Sequence, residues 1–410
     1  MVHRKRIFRQ ENTLMKKIAV IGNNSGRNAG DAAILGCLLK DISTCYKRVE
    51  FYIPTINPKF VRTTFAQYGV NAVGLLPWNM SVKILGLPTL KTILQADLVL
   101  VTDAILFDRK LYNPLYNYLW TLAQILPVAK KRGIPVVLYN SSLGPARTEA
   151  GKRALKAVID SAEALILRDR ESVELLQNLG FEHPKIIEGA DCALNAEAAG
   201  EKQLTRISEK ERLFQSDRPA IGFNVNSYVD AFVRSDGFSF GRNNLIDLYA
   251  ETVDAVIDTL DVDVIFVETQ HMDMRIAGKV MAKIKHKNRI RLVTNKKYNY
   301  QEICSVLKRL ELFVGMRTHS LILSSAMGTV PVGIITYPKN RGYMRTIGLE
   351  KNLLAFRDLS VQRYVDLIVR SYENREGLKN EMVPLLLKEK AKAHQAAAHL
   401  RPYLRVQSDK

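Results

Sequence analysis

Short apolar runs of strand length recur along this chain from about residue 16 onward, and segments of helical periodicity lie between them. That alternation narrows the fold more than any other feature, because it describes parallel strands joined by crossover helices that cover both faces of a sheet. Strands are expected in the first half at 17–22, 49–53, 98–102, 134–140, 164–168 and 185–188, with helices at 31–46 and 152–162. A second series of strands is expected at 219–225, 262–267, 289–293, 311–314 and 330–335, with helices at 243–260, 272–286 and 300–310. The fold class is therefore α/β, with two Rossmann-like domains facing a cleft.

The polar, charged stretch 200–217 reads as the connection between an N-terminal domain over 15–199 and a C-terminal domain over 218–358. Residues 1–14 carry His3, Arg4, Lys5, Arg6 and Arg9 and read as a disordered leader, with Met15 as an alternative start. The apolar run that follows is too short for a signal-peptide core. Residues 359–410 read as a C-terminal helical segment, in which 381–404 either packs back across the domain interface or lies on a membrane as a basic amphipathic stretch, with a solvated face the preferred account of its lysines. The longest apolar stretches, such as 134–139 and 262–267, fall far short of the ~20 residues a membrane span needs. Cys37, Cys45, Cys192 and Cys304 are scattered without paired spacing, which indicates neither a zinc site nor a disulfide framework and suits a cytoplasmic protein.

A formal charge of +19 calls for an anionic partner: nucleic acid, an anionic membrane surface or small phosphorylated substrates. The basic residues are spread along the chain without an aromatic-interleaved block, so nucleic acid is not expected.

The chemistry-bearing residues gather at expected strand ends. Gly315-Met316-Arg317-Thr318-His319-Ser320 follows one strand, and the next returns through Pro331 to Tyr337-Pro338-Lys339. An Arg, a His and a Lys can thus converge on one anion in the crevice where open α/β sheets bind ligands. Arg168 ends another strand, where its planar fork can grip a carboxylate or phosphate. Each also has a structural reading: His319 as a satisfied core or capping group, Arg317 paired to a carboxylate, Lys339 simply solvated, and Asp169 or Ser172 capping a helix.

After the first strand, the glycine-rich turn from Gly22 through Asn28 and Gly30 to Asp31 lets backbone N–H groups approach a ligand. Its spacing is neither the dinucleotide fingerprint nor a Walker loop. Asp31 reads as an N-terminal cap or dipole partner, and its carboxylate would repel a phosphate on the same turn. A hydroxyl-rich sugar suits this loop better. Ser142, on the turn Asn140-Ser141-Ser142-Leu143-Gly144-Pro145, offers a further hydroxyl.

These motifs together resemble the polysaccharide pyruvyl transferase family. The matching pieces are Asn28 through Leu35, Ser142-Leu143-Gly144-Pro145, Leu167 through Ser172 with Leu179-Gly180, Gly189-Ala190-Asp191-Cys192-Ala193, Gly315 through Ser320, and Gly328 through Lys339. The resemblance implies a GT-B-like fold and transfer of an enolpyruvyl unit from phosphoenolpyruvate onto a sugar hydroxyl pair, giving a pyruvate ketal and inorganic phosphate. By motif position it implies that Arg168, His319 and Lys339 hold phosphoenolpyruvate, with Arg317 as an added cation.

Asn28, Gly30, Asp31 and Ser142 would then face the acceptor sugar, which is free or lipid-linked. His319 is the first choice for acid/base work and Asp31 the second, as acceptor-side base. No metal and no cofactor beyond phosphoenolpyruvate as co-substrate are expected, and the charge allows peripheral contact at an anionic inner membrane face. Two departures from the family pattern stand out: Ala32 where an acidic residue is usual, and Tyr337 directly abutting Pro338. The competing readings are a GT-B glycosyltransferase using a nucleotide sugar and a non-catalytic partner in polysaccharide assembly.

Overall fold

The computed structural model describes residues 15–75, 86–108, 118–227, 242–335 and 338–404. The leader 1–14 and Tyr337, and with it the Tyr-Pro departure, lie outside the described residues.

Two all-parallel sheets form the frame. The first contains β1 (Lys16–Ile21), β2 (Val49–Thr55), β3 (Val70–Gly74), β4 (Leu98–Val101), β5 (Val136–Ser141), β6 (Ala164–Leu167) and β7 (Ile186–Glu188), in the order β3-β2-β1-β4-β5-β6-β7. The second contains β8 (Ala220–Phe223), β9 (Asp263–Glu268), β10 (Ile290–Thr294), β11 (Leu312–Gly315), β12 (Val330–Ile335) and β13 (Leu353–Ala355), in the order β10-β9-β8-β11-β12-β13. Each order reverses once, between β1 and β4 and between β8 and β11. These reversals open the crevices in which such sheets bind ligands.

The helices that bear on the site are α1 (Ala29–Cys45), α2 (Arg170–Asn178), α3 (Glu201–Glu211), α4 (Met274–Lys283), α5 (Tyr300–Leu307), α6 (Thr318–Ala326), α7 (Pro338–Thr346) and α8 (Arg375–Gln395). Strand residues alternate between two cores, as a buried pleated strand requires. In β1, Ile18 and Val20 face an apolar cluster that continues into the second domain, whereas Ala19 and Ile21 face a separate cluster on the other side of the sheet.

Helix α1 joins the domains. Residues 29–39 are buried on every side, as expected of a helix apolar all round. It packs on the first sheet's connections and also on α5 and α6 of the second domain. Gly36 makes this possible, because a Cβ there would stand 2.3 Å from the Tyr300 hydroxyl oxygen.

Three parts of the chain differ from the sequence reading. The stretch 200–217 carries α3, which buries Leu204 and Ile207 and packs on α5 and β10, while Arg206 pairs with Glu302 at 2.5 Å. Two buried apolar positions one turn apart are a weak signal in so polar a segment. Strands β3 and β13 were not expected. Both lie at sheet edges and are only partly buried, so they lack the continuous apolar run of the central strands.

The C-terminal segment returns to the first domain. In α8, the Ala393 carbonyl accepts from Asn140 Nδ2 at 3.3 Å, His394 Nδ1 lies 2.7 Å from Asp41 Oδ1, and Lys392 pairs with Glu188 at 2.5 Å. Ala393 is fully buried and Glu188 exposed. Ala393→Asp is therefore expected to cost at least about 3 kcal/mol, because it buries an unpaired carboxylate. Lys392→Ala should cost no more than about 1 kcal/mol. Denaturant midpoints of the two variants check this, and equal shifts would mean that the α8 contact is not a tight one.

Candidate active site

A cleft of about 490 Å³ lies between the carboxyl ends of the two sheets. Asn23, Asn28, Asp31, Asp103, Tyr118 and Arg168 border it from the first domain, and Thr269, Arg317, Thr318, His319 and Lys339 from the second.

The first turn of α1 is set by Asn28, whose Oδ1 accepts from the Gly30 amide at 2.8 Å. Asn28, not Asp31, is thus the cap, and its side-chain oxygen is engaged within its own turn. The same turn is tied to the second domain: the Ala29 amide donates to the Thr269 carbonyl at 2.8 Å, and Asn28 bridges to Gln270. Gly30 does not border the cleft. A Cβ there would lie 2.3 Å from Cβ and Cγ of His319, so this glycine lets the helix rest against that imidazole. Asp31 is buried, accepts from Asn23 Nδ2, and places Oδ1 3.8 Å from His319 Nδ1. Burial first, and then Asp103, push its carboxyl well above the usual range, against the opposing pull of Arg168, Asn23 and Arg317.

Arg168 follows β6 and is almost completely buried. Its Nη1 lies 2.8 Å from Asp191 Oδ2 and 3.8 Å from Asp103 Oδ1, and its Nε lies 3.9 Å from Asp169 Oδ2. Burial works against its charge, but the three carboxylates outweigh it and keep the guanidinium ionised. Asp191 in turn lies 3.3 Å from His319 Nε2. Burial alone would raise Asp191, yet Arg168, then His319 and the Ala193 amide, hold it well below the usual carboxylate range. Arg168 Nη1, Asp191 Oδ2 and His319 Nε2 are all buried and none has a well-aligned hydrogen bond.

Lys339, near the start of α7, reaches across the domain boundary and donates to Ser142 Oγ, which donates to Asp169. Burial is the main cause that lowers the Lys339 ammonium to about 8, with Asp169 acting in the opposite direction. Ser142, expected to face a sugar, is instead fully buried and couples Lys339 to Asp169. Arg317 borders the cleft, but its fork is held by the buried Asp273: Nε lies 2.6 Å from Oδ2 and Nη2 lies 2.7 Å from Oδ1. It anchors β11 to the loop after β9, the carboxylate pairing that the sequence reading set beside a role as added cation.

The structure therefore brings Arg168, His319, Lys339, Arg317, Asp31 and Asn28 to one cleft and leaves Gly30 and Ser142 behind its wall. Sequence reasoning gave no role to Asp103, Asp191 or Asp273. Asp103 directly follows the expected strand 98–102, a position that could have flagged it. It sits at φ 71° and its Oδ1 accepts from the Ala104 amide at 2.6 Å. Among the described residues, Asp31, Asp103 and His319 bring ligand atoms within 4.8 Å of one another. Two carboxylates and an imidazole are donors suited to a divalent cation, a grouping that the spacing along the chain does not disclose.

The sequence matches the family described as polysaccharide pyruvyl transferase over residues 28–337. The amylovoran biosynthesis protein AmsJ of Erwinia amylovora is 25% identical over 401 residues, covering 88% of this chain and 94% of that protein. Among solved structures, the UDP-GlcNAc 2-epimerase of Methanocaldococcus jannaschii superposes with a TM-score of 0.64 at 12% identity, covering 95% of this chain and 100% of that one. HepE of Anabaena in complex with UDP-glucose superposes with a TM-score of 0.60 at 15% identity, covering 94% and 99%. At such identities these structures speak for the fold alone.

The raised carboxyl of Asp31 makes a prediction about stability. A group whose folded pKa exceeds its unfolded value of about 3.9 favours the folded state least once pH passes the folded pKa. Asp31→Asn removes that penalty, so the variant should gain stability over the parent as pH rises from about 4 to 8. Denaturant unfolding across that range measures the difference, and a gap that is constant or shrinks toward pH 8 contradicts the assignment.

Proposed function

The chain belongs to the polysaccharide pyruvyl transferase family, and we propose that it moves an enolpyruvyl unit from phosphoenolpyruvate to a sugar of a cell-envelope or extracellular polysaccharide, or of its lipid-linked precursor. Two sugar hydroxyl oxygens bond to the central carbon of the donor, its bond to the phosphate oxygen breaks, and a pyruvate ketal and inorganic phosphate result. Of the two hydroxyl protons, the net balance sends one to the methylene carbon, which becomes a methyl group, and one to the phosphate.

The observation that carries this reading is the meeting of Arg168 from the first domain with His319 and Lys339 from the second in one cleft. Phosphoenolpyruvate is a small, multiply charged anion, and fixed cations both bind it and stabilise the charge that develops on the departing phosphate. Lys339 is suited to the phosphate, as a compact charge at the start of a helix. Arg168 is suited to the donor's carboxylate, with Asp191 and Asp103 fixing its orientation. His319 lies between Asp191 and Asp31. Asp191, held ionised, lies 3.3 Å from Nε2 and fixes the orientation of the imidazole, which places His319 to deliver a proton to the methylene carbon. The buried Asp31 carboxylate, made more basic by its surroundings, suits receipt of a hydroxyl proton. Phosphoenolpyruvate serves as co-substrate.

No helix among the described residues is long and apolar enough to cross a membrane. The reading takes the reaction to be cytoplasmic, with the +19 charge favouring peripheral contact with an anionic membrane face. The deciding assay follows inorganic phosphate from phosphoenolpyruvate in the presence of nitrophenyl and lipid-linked sugars. Release of nucleotide from a nucleotide sugar in its place would assign the fold to glycosyl transfer.

Two predictions follow from the roles assigned. His319→Ala should lower turnover by about 10²–10⁴-fold with little change in melting temperature. His319→Gln retains hydrogen bonding without proton transfer near neutral pH, so near-parental turnover in that variant would reduce His319 to a donor-binding group. Lys339 must be charged to hold the phosphate, and its ammonium titrates near 8, so kcat/KM for phosphoenolpyruvate should fall as pH rises through about 8. Lys339→Arg, charged throughout, should remove that limb of the pH profile. A limb that survives unchanged in the variant belongs to another group.

A further inference from the structure

Asp103 borders the cleft, is buried, and sits two residues past the end of β4 with φ at 71°. A left-handed backbone is uncommon for a residue with a side chain, and such residues gather where a site needs a group aimed in one direction. The conformation is held on both sides: the Asp103 carbonyl accepts from the Ser142 amide at 3.1 Å, and Oδ1 accepts from the Ala104 amide at 2.6 Å. At 3.8 Å from Arg168 Nη1 the carboxylate adds charge without a hydrogen bond. Asp191, at 2.8 Å, is the nearer anchor of that guanidinium.

Its neighbour across the crevice is Asp31. The strand order sets β1 beside β4 where the first sheet reverses, so the helix after β1 brings in Asp31 and the end of β4 brings in Asp103. A carboxyl oxygen of each and a ring nitrogen of His319 lie within 4.8 Å of one another. Burial and then Asp103 raise the Asp31 carboxyl, as two like groups in one site require. After burial, the same two carboxyls push the Tyr118 hydroxyl above its usual range, so that phenol keeps its proton beside them. Ionised carboxylates accept hydrogen bonds and donate none. A close pair of them opposes an anion such as phosphoenolpyruvate and draws O–H donors, whose hydrogen bonds of about 2.7 Å fit a gap of this size.

We infer that Asp103 and Asp31 together hold the acceptor, each accepting from one of the two hydroxyls that become the ketal, so that the site selects sugars with a neighbouring hydroxyl pair. The inference rests on the pyruvyl transfer reading for the fate of those hydroxyls. As each oxygen bonds to the donor's central carbon, its proton passes to the carboxylate it faces. The donor's bond to the phosphate oxygen breaks, and its methylene carbon takes a proton from His319. The proton on Asp31 replaces the one His319 has given, and the proton on Asp103 leaves with the phosphate. Asp103 is thus a second catalytic base, and a lone hydroxyl meets only half of the pair.

The test uses the full chain and Asp103→Asn, which keeps the side chain's shape and tolerates a left-handed backbone. Asp103→Gly is the second variant, since it removes the carboxyl at no steric cost to that φ. Ligand-observed NMR titration with 4-nitrophenyl hexopyranosides, without phosphoenolpyruvate, should show sugar affinity at least about 10-fold weaker in both variants, the least expected from losing one hydrogen bond to a charged group. For the hexoside that the parent turns over, kcat should fall by about 10²–10⁴-fold, while KM for phosphoenolpyruvate should not rise. Of the two mono-deoxy forms of that hexoside, each lacking one ketal hydroxyl, one should bind both variants as well as the intact hexoside does. A merely structural role for Asp103 would not move that comparison. Sugar affinity equal to the parent's in both variants overturns the inference, and with a raised KM for phosphoenolpyruvate it leaves Asp103 as a positioning residue for Arg168. Sugar binding that a chelator abolishes and magnesium restores also overturns it, because Asp31, Asp103 and His319 would then hold a cation. If the variants lose sugar affinity while the parent releases no phosphate from phosphoenolpyruvate with any acceptor, the acceptor site stands and the pyruvyl transfer reading falls.

Discussion

The spacing between the two domains depends on two hydrogen atoms where other residues have side chains. At Gly30 an added Cβ would meet the His319 side chain, and at Gly36 it would meet the Tyr300 hydroxyl, each at 2.3 Å. No real Cβ contact is that short, so α1 can lie against the second domain only because both positions are glycine. The approach also fixes the chemistry: it brings Asp31 to 3.8 Å from His319 and lets the α1 cap bridge to the strand-end segment at Gln270. Because one apolar cluster runs from β1 through α1 into the second sheet, the cleft is a seam within a continuous core. A freely hinging gap between separate bodies would show two closed cores with a polar boundary.

Within the cleft, carboxylates determine what each cation can do. Asp273 uses the Arg317 fork as structure, whereas Asp191, Asp103 and Asp169 surround Arg168 without closing it off from the cleft. Removing one member of such a buried group leaves an uncompensated charge, so these residues act as a unit and single substitutions report on the network as much as on the residue changed. The chain of contacts from Arg168 through Asp191 to His319 links an anion-binding group in one domain to a proton-transfer candidate in the other. Asp191 is thus a positioning residue by its geometry, although it does not border the cleft.

Most of the frame was legible in the sequence because buried parallel strands are continuous apolar runs, and the central strands of both sheets have that form. The edge strands β3 and β13 did not, since half-exposed residues break the run, and α3 hid behind a surface with only Leu204 and Ile207 turned inward. The cations of the site were legible for a related reason: Arg168, Arg317, His319 and Lys339 each stand just past a strand end, where topology alone sends them to the crevice. Their partners were not. Asp103 and Asp191 come from strands and turns far from Arg168 in sequence, and only the strand order brings them together. Ser142 looked like a ligand-facing hydroxyl because a turn composition says nothing about which way its side chain points. The family resemblance correctly placed the chain, but Arg317 shows that a motif position does not reveal which neighbour has already claimed the side chain.

The return of α8 to the first domain has a consequence for how the protein is made. Ribosomes release the amino-terminal half first, yet Asn140, at the end of a central strand, shares its Nδ2 between Cys192 Sγ and the Ala393 carbonyl, and the turn Cys192–Asn195 packs on α8. Until residues near 395 have emerged, the nascent first domain carries an open groove where that helix will lie. Translation that halts shortly before that point leaves both domains drafted and the groove between them uncovered, so the codons for α8 commit both domains to their final form.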